Sequence, residues 1–179
     1  AMGDNFVINI GRQLGSGGRE IGEKLAAAME ISFYDKELIN LASEESGLCR
    51  DFFEKADEKP SQPLMNGLFG MRFPFPNDSI MACNSCLSND ALFKVQSDVI
   101  RKLAAEKSCL FVGRCADYIL RDHPRHVNVF VSASLDDRIE RLCQTMHVGK
   151  AEAEELIERT DKKRSEYYNY YSYKTWGAA

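Results

Sequence analysis

The stretch FVINIGRQLGSGGREIG, residues 6–22, decides the fold of this chain. Its β-branched residues from position 6 to position 10 predict a short buried strand. A loop with glycines at positions 11, 15, 17 and 18 follows, and an amphipathic helix begins directly after it. A strand, a glycine loop and a helix in this order present free backbone N–H groups and a positive helix end to an anion, most often a phosphate.

The glycine loop allows two interpretations. Glycines between a strand and a helix can form a tight turn without any ligand, and a loose glycine pattern has many false positives. The phosphate-loop pattern G-x-x-x-x-G-K-[ST] is not matched, because Gly18 occupies the lysine position and Arg19 occupies the hydroxyl position. The sequence therefore predicts a phosphate-binding loop in which the lysine and the magnesium-binding hydroxyl are missing from their usual places.

Length and composition limit the classes of protein. The 179 residues fit one compact domain with a sizeable core. The net charge of -4 argues against broad nucleic-acid binding. No apolar run approaches the roughly 18 residues that span a bilayer, and no signal-peptide pattern is present. We therefore expect a cytoplasmic protein that binds neither nucleic acid nor a membrane.

The six cysteines predict no metal site. Only Cys83 and Cys86 have ligand-like spacing, and no second CxxC pair and no histidine pair at finger spacing accompany them. Cys109 and Cys143 lie in apolar patterns, where cysteine usually behaves as a small hydrophobic residue.

Two charged residues directly follow predicted strands. Asp35 comes after the segment 31–34, where it can cap the next helix or bind a ligand, and both roles stay open. Arg114 follows the continuous apolar run 108–112, which is typical of a strand buried on both faces of a parallel sheet. Because arginine favours bidentate contacts with phosphate or carboxylate, ligand contact at Arg114 is preferred over a structural salt bridge.

Two later segments also bear on the site. From residue 60 to residue 90, four prolines and many Asn and Ser residues break every periodic pattern. Such a segment is typical of a lid or binding insert, and a dimer contact or a surface cover would also fit. A long charged helix is expected from residue 150 to residue 173, with Arg159, Lys162 and Lys163 on one face. That face can be solvated or can bind phosphate.

The alternation of strands and helices predicts an α/β fold with a mostly parallel sheet covered on both faces. The glycine loop, Asp35, Arg114 and the cluster around Arg159 each follow or flank a sheet edge, so they can converge on one crevice. Converging arginines and backbone N–H groups supply the positioned charge that phosphoryl transfer needs.

Four segments together resemble the cytidylate kinase-like family of bacterial P-loop proteins. They are GSGGREI at 15–21, FYDKELI at 33–39, VGRCADYIL at 112–120 and the Arg-rich segment before Tyr167 and Tyr168. The resemblance spans nearly the whole chain and implies a three-layer P-loop NTPase fold with a parallel core sheet, as a single domain over residues 4–179. It also implies a nucleoside-monophosphate-binding insert near 48–90, a helical arginine-bearing lid near 138–166, and a further core strand and helix beyond residue 177.

The same resemblance implies roles for individual residues. The loop that would hold the β-phosphate of ATP consists of Gly15, Ser16, Gly17, Gly18 and Arg19. The residues that would bind the acceptor are Asp35, Arg114 and Asp117. The catalytic cations would be Arg19, Arg159 and Arg164, and the residues at the approach to the lid would be Arg138 and Arg141.

The activity implied by this resemblance is ATP-dependent phosphoryl transfer to a nucleoside monophosphate, with CMP or dCMP as the favoured acceptor and Mg²⁺ bridging the phosphates. The partner is then a nucleotide or another small phosphorylated substrate, and a homodimer is compatible with the sequence. Two alternatives remain open. One is a non-catalytic nucleotide- or phosphate-binding regulatory module, and the other is a kinase of a different small acceptor, since the fold fixes position more than substrate.

Overall fold

The structure is a computed structural model that describes residues 5–45, 47 and 89–178. The helices and strands are numbered here within those residues. In chain order they are β1 (Val7–Arg12), α1 (Gly18–Ala28), β2 (Ser32–Tyr34), α2 (Lys36–Glu45), α3 (Asn89–Glu106), β3 (Cys109–Val112), α4 (Ala116–Ile119), β4 (His126–Val131), α5 (Leu135–Met146) and α6 (Lys150–Ser172). The chain divides into two compact units, one formed by the residues up to 38 and from 100 onward, and the other by residues 39–99.

The first unit is built on a sheet of four parallel strands in the order β2-β3-β1-β4. The central strand β1 pairs with β3 on one side and with β4 on the other, so Val7 lies opposite both Cys109 and His126. All strands end at the same edge because they are parallel. The residues that follow β1, β2 and β3 are therefore brought to one edge of the sheet, where open α/β sheets place their ligands.

Helix α1 packs closely on one face of this sheet. Ala26 of the helix is buried in one cluster with Ile10 of β1 and Leu110 of β3. A Cβ atom on Gly22 would lie 3.1 Å from the Cδ1 atom of Ile10 and 3.1 Å from the Cδ2 atom of Leu110. This close approach fixes the direction in which the N-terminus of α1 points, and that N-terminus directly follows the glycine loop.

Helices α5 and α6 form a second core of the same unit. Leu142 packs with Ala153 and Ile157, and Leu14 of the glycine loop packs against this cluster. Ser134 caps the start of α5, since its hydroxyl accepts a hydrogen bond of 3.2 Å from the backbone N–H of Asp137. The glycine loop is thus attached to the helix pair as well as to the sheet.

The second unit contains the end of α2 and the beginning of α3. Within it, Ile39 and Val95 are buried, and the side-chain amide of Gln96 donates a hydrogen bond of 2.5 Å to that of Asn40. The segment predicted as a binding insert, residues 48–90, lies outside the described residues except for its last two positions, and Cys83 and Cys86 lie outside them as well.

The predicted fold class is confirmed, because the structure shows a parallel sheet flanked by helices with the glycine loop between β1 and α1. Among residues 5–45, 47 and 89–178, none of the helices combines the length and the apolar character needed to cross a membrane.

Two leucines with different burial are expected to differ in how much their replacement lowers the free energy of unfolding. Leu110 in β3 is fully buried, whereas Leu135 at the start of α5 is 46% exposed. We expect Leu110→Ala to lower the free energy of unfolding by about 2–5 kcal/mol, because it removes buried apolar contacts and leaves a cavity. The control Leu135→Ala should change it by less than about 0.5 kcal/mol. Urea unfolding of both variants measures the difference, and equal losses would contradict the packing described.

Candidate active site

A cleft of about 1740 Å³ opens at the carboxyl edge of the sheet within the first unit. Small-molecule sites typically measure roughly 300–1,000 Å³, so this cleft has room for more than one small ligand. Its lining includes Arg12 at the end of β1, Arg114 after β3, and Lys163 and Arg164 on α6. Side chains from distant parts of the chain therefore contribute positive charge to one space.

The charges of two neighbouring arginines act on Arg12. Burial, followed by the neighbouring charges of Arg164 and Arg114, lowers the pKa of Arg12 to about 10. Burial likewise lowers the pKa of Arg164, against the opposing effect of Asp161. Within the described part of the chain, Arg12 and Arg114 form no ion pair with a carboxylate. A cluster of like charges in which two members form no ion pair is suited to binding an anion.

Arg114 belongs to an unusual turn after β3. Gly113, Arg114 and Cys115 all have positive φ angles, of 79°, 57° and 55°. The left-handed conformation costs a non-glycine residue roughly 1–2 kcal/mol, so this turn stores strain at the mouth of the cleft. The guanidinium of Arg114 lies over the ring of Tyr167, 5.2 Å from its centroid. The turn and the ring together hold Arg114 at the sheet edge.

The predicted phosphate loop has the backbone geometry of an anion cradle. Gly15 and Gly17 have φ angles of 79° and 82°, which only glycine adopts without strain. A Cβ atom on Gly15 would lie 2.8 Å from the carbonyl oxygen of Arg138, so the loop has no room for a side chain there. Ser16 donates its hydroxyl to the carbonyl of Gln13, at 2.8 Å. In the described part of the chain, the backbone N–H groups of Gly15 and Gly17 donate no hydrogen bond.

An ion pair fixes the outer side of this loop. Asp161 of α6 accepts a hydrogen bond of 2.8 Å from the backbone N–H of Leu14 and also pairs with Arg138 of α5. The Nε of Arg138 donates to the carbonyl oxygen of Leu14 at 2.7 Å. Arg138, predicted to lie at the approach to the lid, is buried, and it contacts the loop. The Arg138–Asp161 pair therefore joins α5, α6 and the loop.

Two other predicted lid residues occupy different positions. Arg141 pairs with Glu20 of α1, and its guanidinium carbon lies 3.4 Å from the place where a Cβ atom of Gly17 would be. It is therefore beside the loop. Arg159 is exposed on α6 and is not among the residues that line the cleft. Arg164 lies five residues after Arg159. It lines the cleft and donates a hydrogen bond of 3.3 Å to the carbonyl oxygen of Arg12.

Asp35 serves as a helix cap and as an ion-pair partner. Its carboxylate accepts a hydrogen bond from the backbone N–H of Leu38 at 3.0 Å and another from the Nε of Arg19 at 2.9 Å. The capping interpretation is thus confirmed. Burial alone would raise the pKa of Asp35, but the bonds from Leu38 and Arg19 outweigh it and hold the pKa below its usual value. Both Asp35 and Arg19 line the cleft, although Arg19 is also paired with Glu23.

Asp117 also lines the cleft, where it is joined to helix α6. The hydroxyl of Tyr168 donates a hydrogen bond of 2.6 Å to its carboxylate. Burial, strengthened by this bond, raises the pKa of Tyr168 above its ordinary value, so the phenol remains protonated. The predicted acceptor residues Asp35, Arg114 and Asp117 are thus brought into one cleft with Arg164.

The sequence interpretation did not single out Arg12 as a site residue. A signal was nevertheless available in the phosphate-loop pattern, because counting back five positions from Gly17 places the first glycine of that pattern at residue 12. The chain has an arginine there. Lys163 was recognised only as part of a charged helix face, and the structure places it in the cleft lining.

The loop does not fit the protein ligands of a P-loop magnesium site. The hydroxyl of Ser16 is donated to Gln13, and Arg19 stands where the metal-binding hydroxyl is expected. Asp35 and Asp161 are both engaged by arginines. A magnesium ion would therefore have to take ligands other than these side chains.

The sequence pattern of the cytidylate kinase-like family matches residues 7–179. The chain belongs to this family. In this member of the family, the segment matched begins with the strand that leads into the glycine loop and includes every charged residue of the cleft named above.

Three solved structures resemble this chain. An uncharacterized protein from Eubacterium ventriosum ATCC 27560 has a TM-score of 0.68 and 26% identity, over 97% of this chain and 82% of that one. A gluconokinase from Sinorhizobium meliloti 1021 has a TM-score of 0.46 and 17% identity, over 87% and 74%. The protein TT1252 from Thermus thermophilus has a TM-score of 0.44 and 17% identity, over 89% and 84%. No curated protein gives a significant match.

The environment of Asp35 predicts a specific pH dependence of stability. Its pKa in the folded state lies below the ordinary 3.8, so its contribution is fully present above that pH and is lost as the pH falls through the lowered pKa. We expect Asp35→Asn to cost about 1–2 kcal/mol at pH 7, with the difference from the unsubstituted protein shrinking below about pH 4. Urea unfolding between pH 7 and pH 3 measures it.

The matched control is Asp122→Asn, because the side chain of Asp122 is 90% exposed. Its effect on the free energy of unfolding should be small at every pH. A pH-independent cost of Asp35→Asn would show that the carboxylate charge contributes nothing through Arg19 and Leu38.

Proposed function

We propose that this member of the cytidylate kinase-like family transfers a phosphoryl group from ATP to a nucleoside monophosphate, with CMP or dCMP as the favoured acceptor. The observation that carries the proposal is that three arginines, Arg12, Arg114 and Arg164, line one cleft at the sheet edge from which the glycine loop, with its free N–H groups, begins. Membership of a kinase-like family supports phosphoryl transfer as the reaction class.

The glycine loop is suited to the donor nucleotide. The free N–H groups of Gly15 and Gly17 and the N-terminus of α1 offer hydrogen bonds and a positive dipole to the β-phosphate of ATP. The loop cannot adjust freely, because Leu14 is held by Asp161 and Arg138. A cradle that is already in position loses little free energy to reorganisation when the phosphate binds.

Arg114 is suited to the acceptor phosphate. Its guanidinium has no carboxylate partner in the described residues and is planar, so it can bind two phosphate oxygens at once. The stack on Tyr167 supports one face of the guanidinium. Arg114 would therefore orient the acceptor oxygen toward the transferring group, which is the main task of a protein in this reaction.

Arg164 and Lys163 are suited to the charge that develops during transfer. Both lie on α6, and both line the cleft that Arg12 and Arg114 also line. Fixed cations aimed at the three equatorial oxygens stabilise the transition state more than the ground state. The catalytic roles predicted for Arg159 and Arg19 remain proposals, and an Arg19→Ala variant with full activity would remove that residue from the mechanism.

A non-catalytic nucleotide-binding module is the second candidate. It is favoured by the absence of lysine at position 18 and of a hydroxyl at position 19. A coupled assay that measures ADP formation distinguishes the two functions. It contains ATP and magnesium and tests each acceptor of a panel in turn: CMP, dCMP, UMP, AMP and small alcohols. If no acceptor stimulates ADP formation while ATP still raises the melting temperature, the binding module replaces the kinase.

The arrangement of Arg114 predicts a selective kinetic defect. We expect Arg114→Ala to lower kcat/KM for the acceptor by about 10- to 150-fold, since it removes a charge-assisted contact to the phosphate. The KM for the acceptor should rise more than the KM for ATP. Steady-state kinetics with each substrate varied in turn provides the measurement.

The control is Arg121→Ala. Arg121 is exposed, lies over the ring of Tyr118 and is not part of the cleft lining. This variant should retain the kinetic constants of the unsubstituted protein. Equal behaviour of the two variants would remove Arg114 from acceptor binding.

A further inference from the structure

The glycine loop departs from the phosphate-loop pattern at two linked positions. When the second glycine of G-x-x-x-x-G-K-[ST] is placed at Gly17, the pattern requires glycine at position 12 and lysine at position 18. This chain has Arg12 and Gly18 at those positions. The glycine and the cation have therefore changed places: the end of β1 carries the cation, and the start of α1 carries the glycine.

The geometry explains why the two positions change together. A Cβ atom on Gly18 would lie 2.6 Å from the Cβ atom of Arg12 and 3.2 Å from that of Val131. Two such carbon atoms in real structures do not approach closer than about 3.0 Å, because interiors are close-packed and repulsion rises steeply. A side chain at position 12 thus excludes one at position 18 without a shift of the backbone.

A second glycine directs the Arg12 side chain. A Cβ atom on Gly113 would lie 2.5 Å from the Nη1 atom of Arg12, so the guanidinium passes over Gly113 where no side chain obstructs it. Gly113 has a φ angle of 79°, which also favours glycine. Gly18 and Gly113 therefore form a slot for Arg12, with Gly18 beside its Cβ atom and Gly113 beneath its charged end.

We propose that Arg12 binds the nucleotide phosphate that a phosphate-loop lysine at position 18 would otherwise bind, and that Gly18 and Gly113 exist to hold it there. The proposal rests on the function proposed above and assigns the missing cation of its phosphate loop. Arg19, the other candidate to replace that lysine, is engaged by Asp35 and Glu23.

The exchange changes the character of the cation. A lysine is a flexible point charge, whereas the guanidinium of Arg12 is a planar fork that can bind two oxygens at once. The pKa of Arg12, about 10 through burial and the nearby Arg164 and Arg114, leaves it protonated at neutral pH. Arg164 donates a hydrogen bond to the carbonyl oxygen of Arg12, at the end of β1.

The test uses the full chain and two probes, MgATP and sodium pyrophosphate, in isothermal titration calorimetry. We expect Arg12→Gln to weaken the binding of both probes by about 10- to 150-fold, with Arg12→Lys losing less because it keeps the charge. The matched control Arg121→Gln should bind as the unsubstituted protein does. Circular dichroism and melting temperature establish that each variant is folded.

An exchange variant makes the test independent of simple damage to the loop. Gly18→Lys alone should lower the melting temperature, because its Cβ atom meets that of Arg12. The double variant Arg12→Gly with Gly18→Lys should regain binding to within about 10-fold of the original, since it restores the usual pattern. If Arg12 had a purely structural role, removing it in the double variant would not restore binding of the probes. Binding that is lost in Arg12→Gln and regained in the double variant therefore supports a role of Arg12 in phosphate binding.

The possible outcomes separate this inference from the proposed function. If the protein turns over its substrates and Arg12→Gln binds both probes normally, the inference is overturned and the kinase remains. If binding depends on Arg12 but no acceptor supports turnover, the inference stands and the kinase fails. If the unsubstituted protein binds neither MgATP nor pyrophosphate, both are overturned.

Discussion

The placement of three arginines, Arg12, Arg114 and Arg164, in one cleft is the constraint on which the candidate site depends. Arg114 and Arg164 lie close enough to Arg12 to add to the lowering of its pKa by burial. Among the described residues, Arg12 and Arg114 form no ion pair with a carboxylate. Such an arrangement costs stability in the absence of an anion. The fold supports it with a parallel sheet that brings the ends of β1 and β3 together and with a strained turn that carries Arg114. Binding of a phosphate would offset this cost.

The same helix that supplies Arg164 also holds the glycine loop. Asp161 lies one turn before Arg164, accepts the N–H of Leu14 and pairs with Arg138. Helix α6 therefore contributes a cation to the cleft and a carboxylate to the support of the loop. Because both contacts come from one rigid element, the position of the loop and the position of Arg164 cannot change independently. This coupling is the structural reason to treat the loop and α6 as one site.

The sequence was informative wherever the signal was local. The apolar runs of β1 and β3 predicted buried parallel strands, since this property follows from neighbouring residues. Roles that depend on distant contacts were not predictable in the same way. Arg138 is part of the support of the loop because the fold places Asp161 beside it. Asp35 is paired because the fold places it beside Arg19, near the start of α1. The phosphate-loop pattern draws attention to Arg12, but the path of its side chain past Gly113, about a hundred residues away in the chain, is visible only in the fold.

The most direct test of this account is a crystal structure of the protein with a non-hydrolysable ATP analogue. The account predicts that the phosphates lie on the N–H groups of Gly15 and Gly17 and that a guanidinium nitrogen of Arg12 lies within about 3.2 Å of a phosphate oxygen. Arg114 and Arg164 should face the same phosphates or the adjoining acceptor position. A structure in which the phosphates bind away from this loop, or in which Arg12 remains beyond hydrogen-bond distance while another cation contacts them, would contradict it.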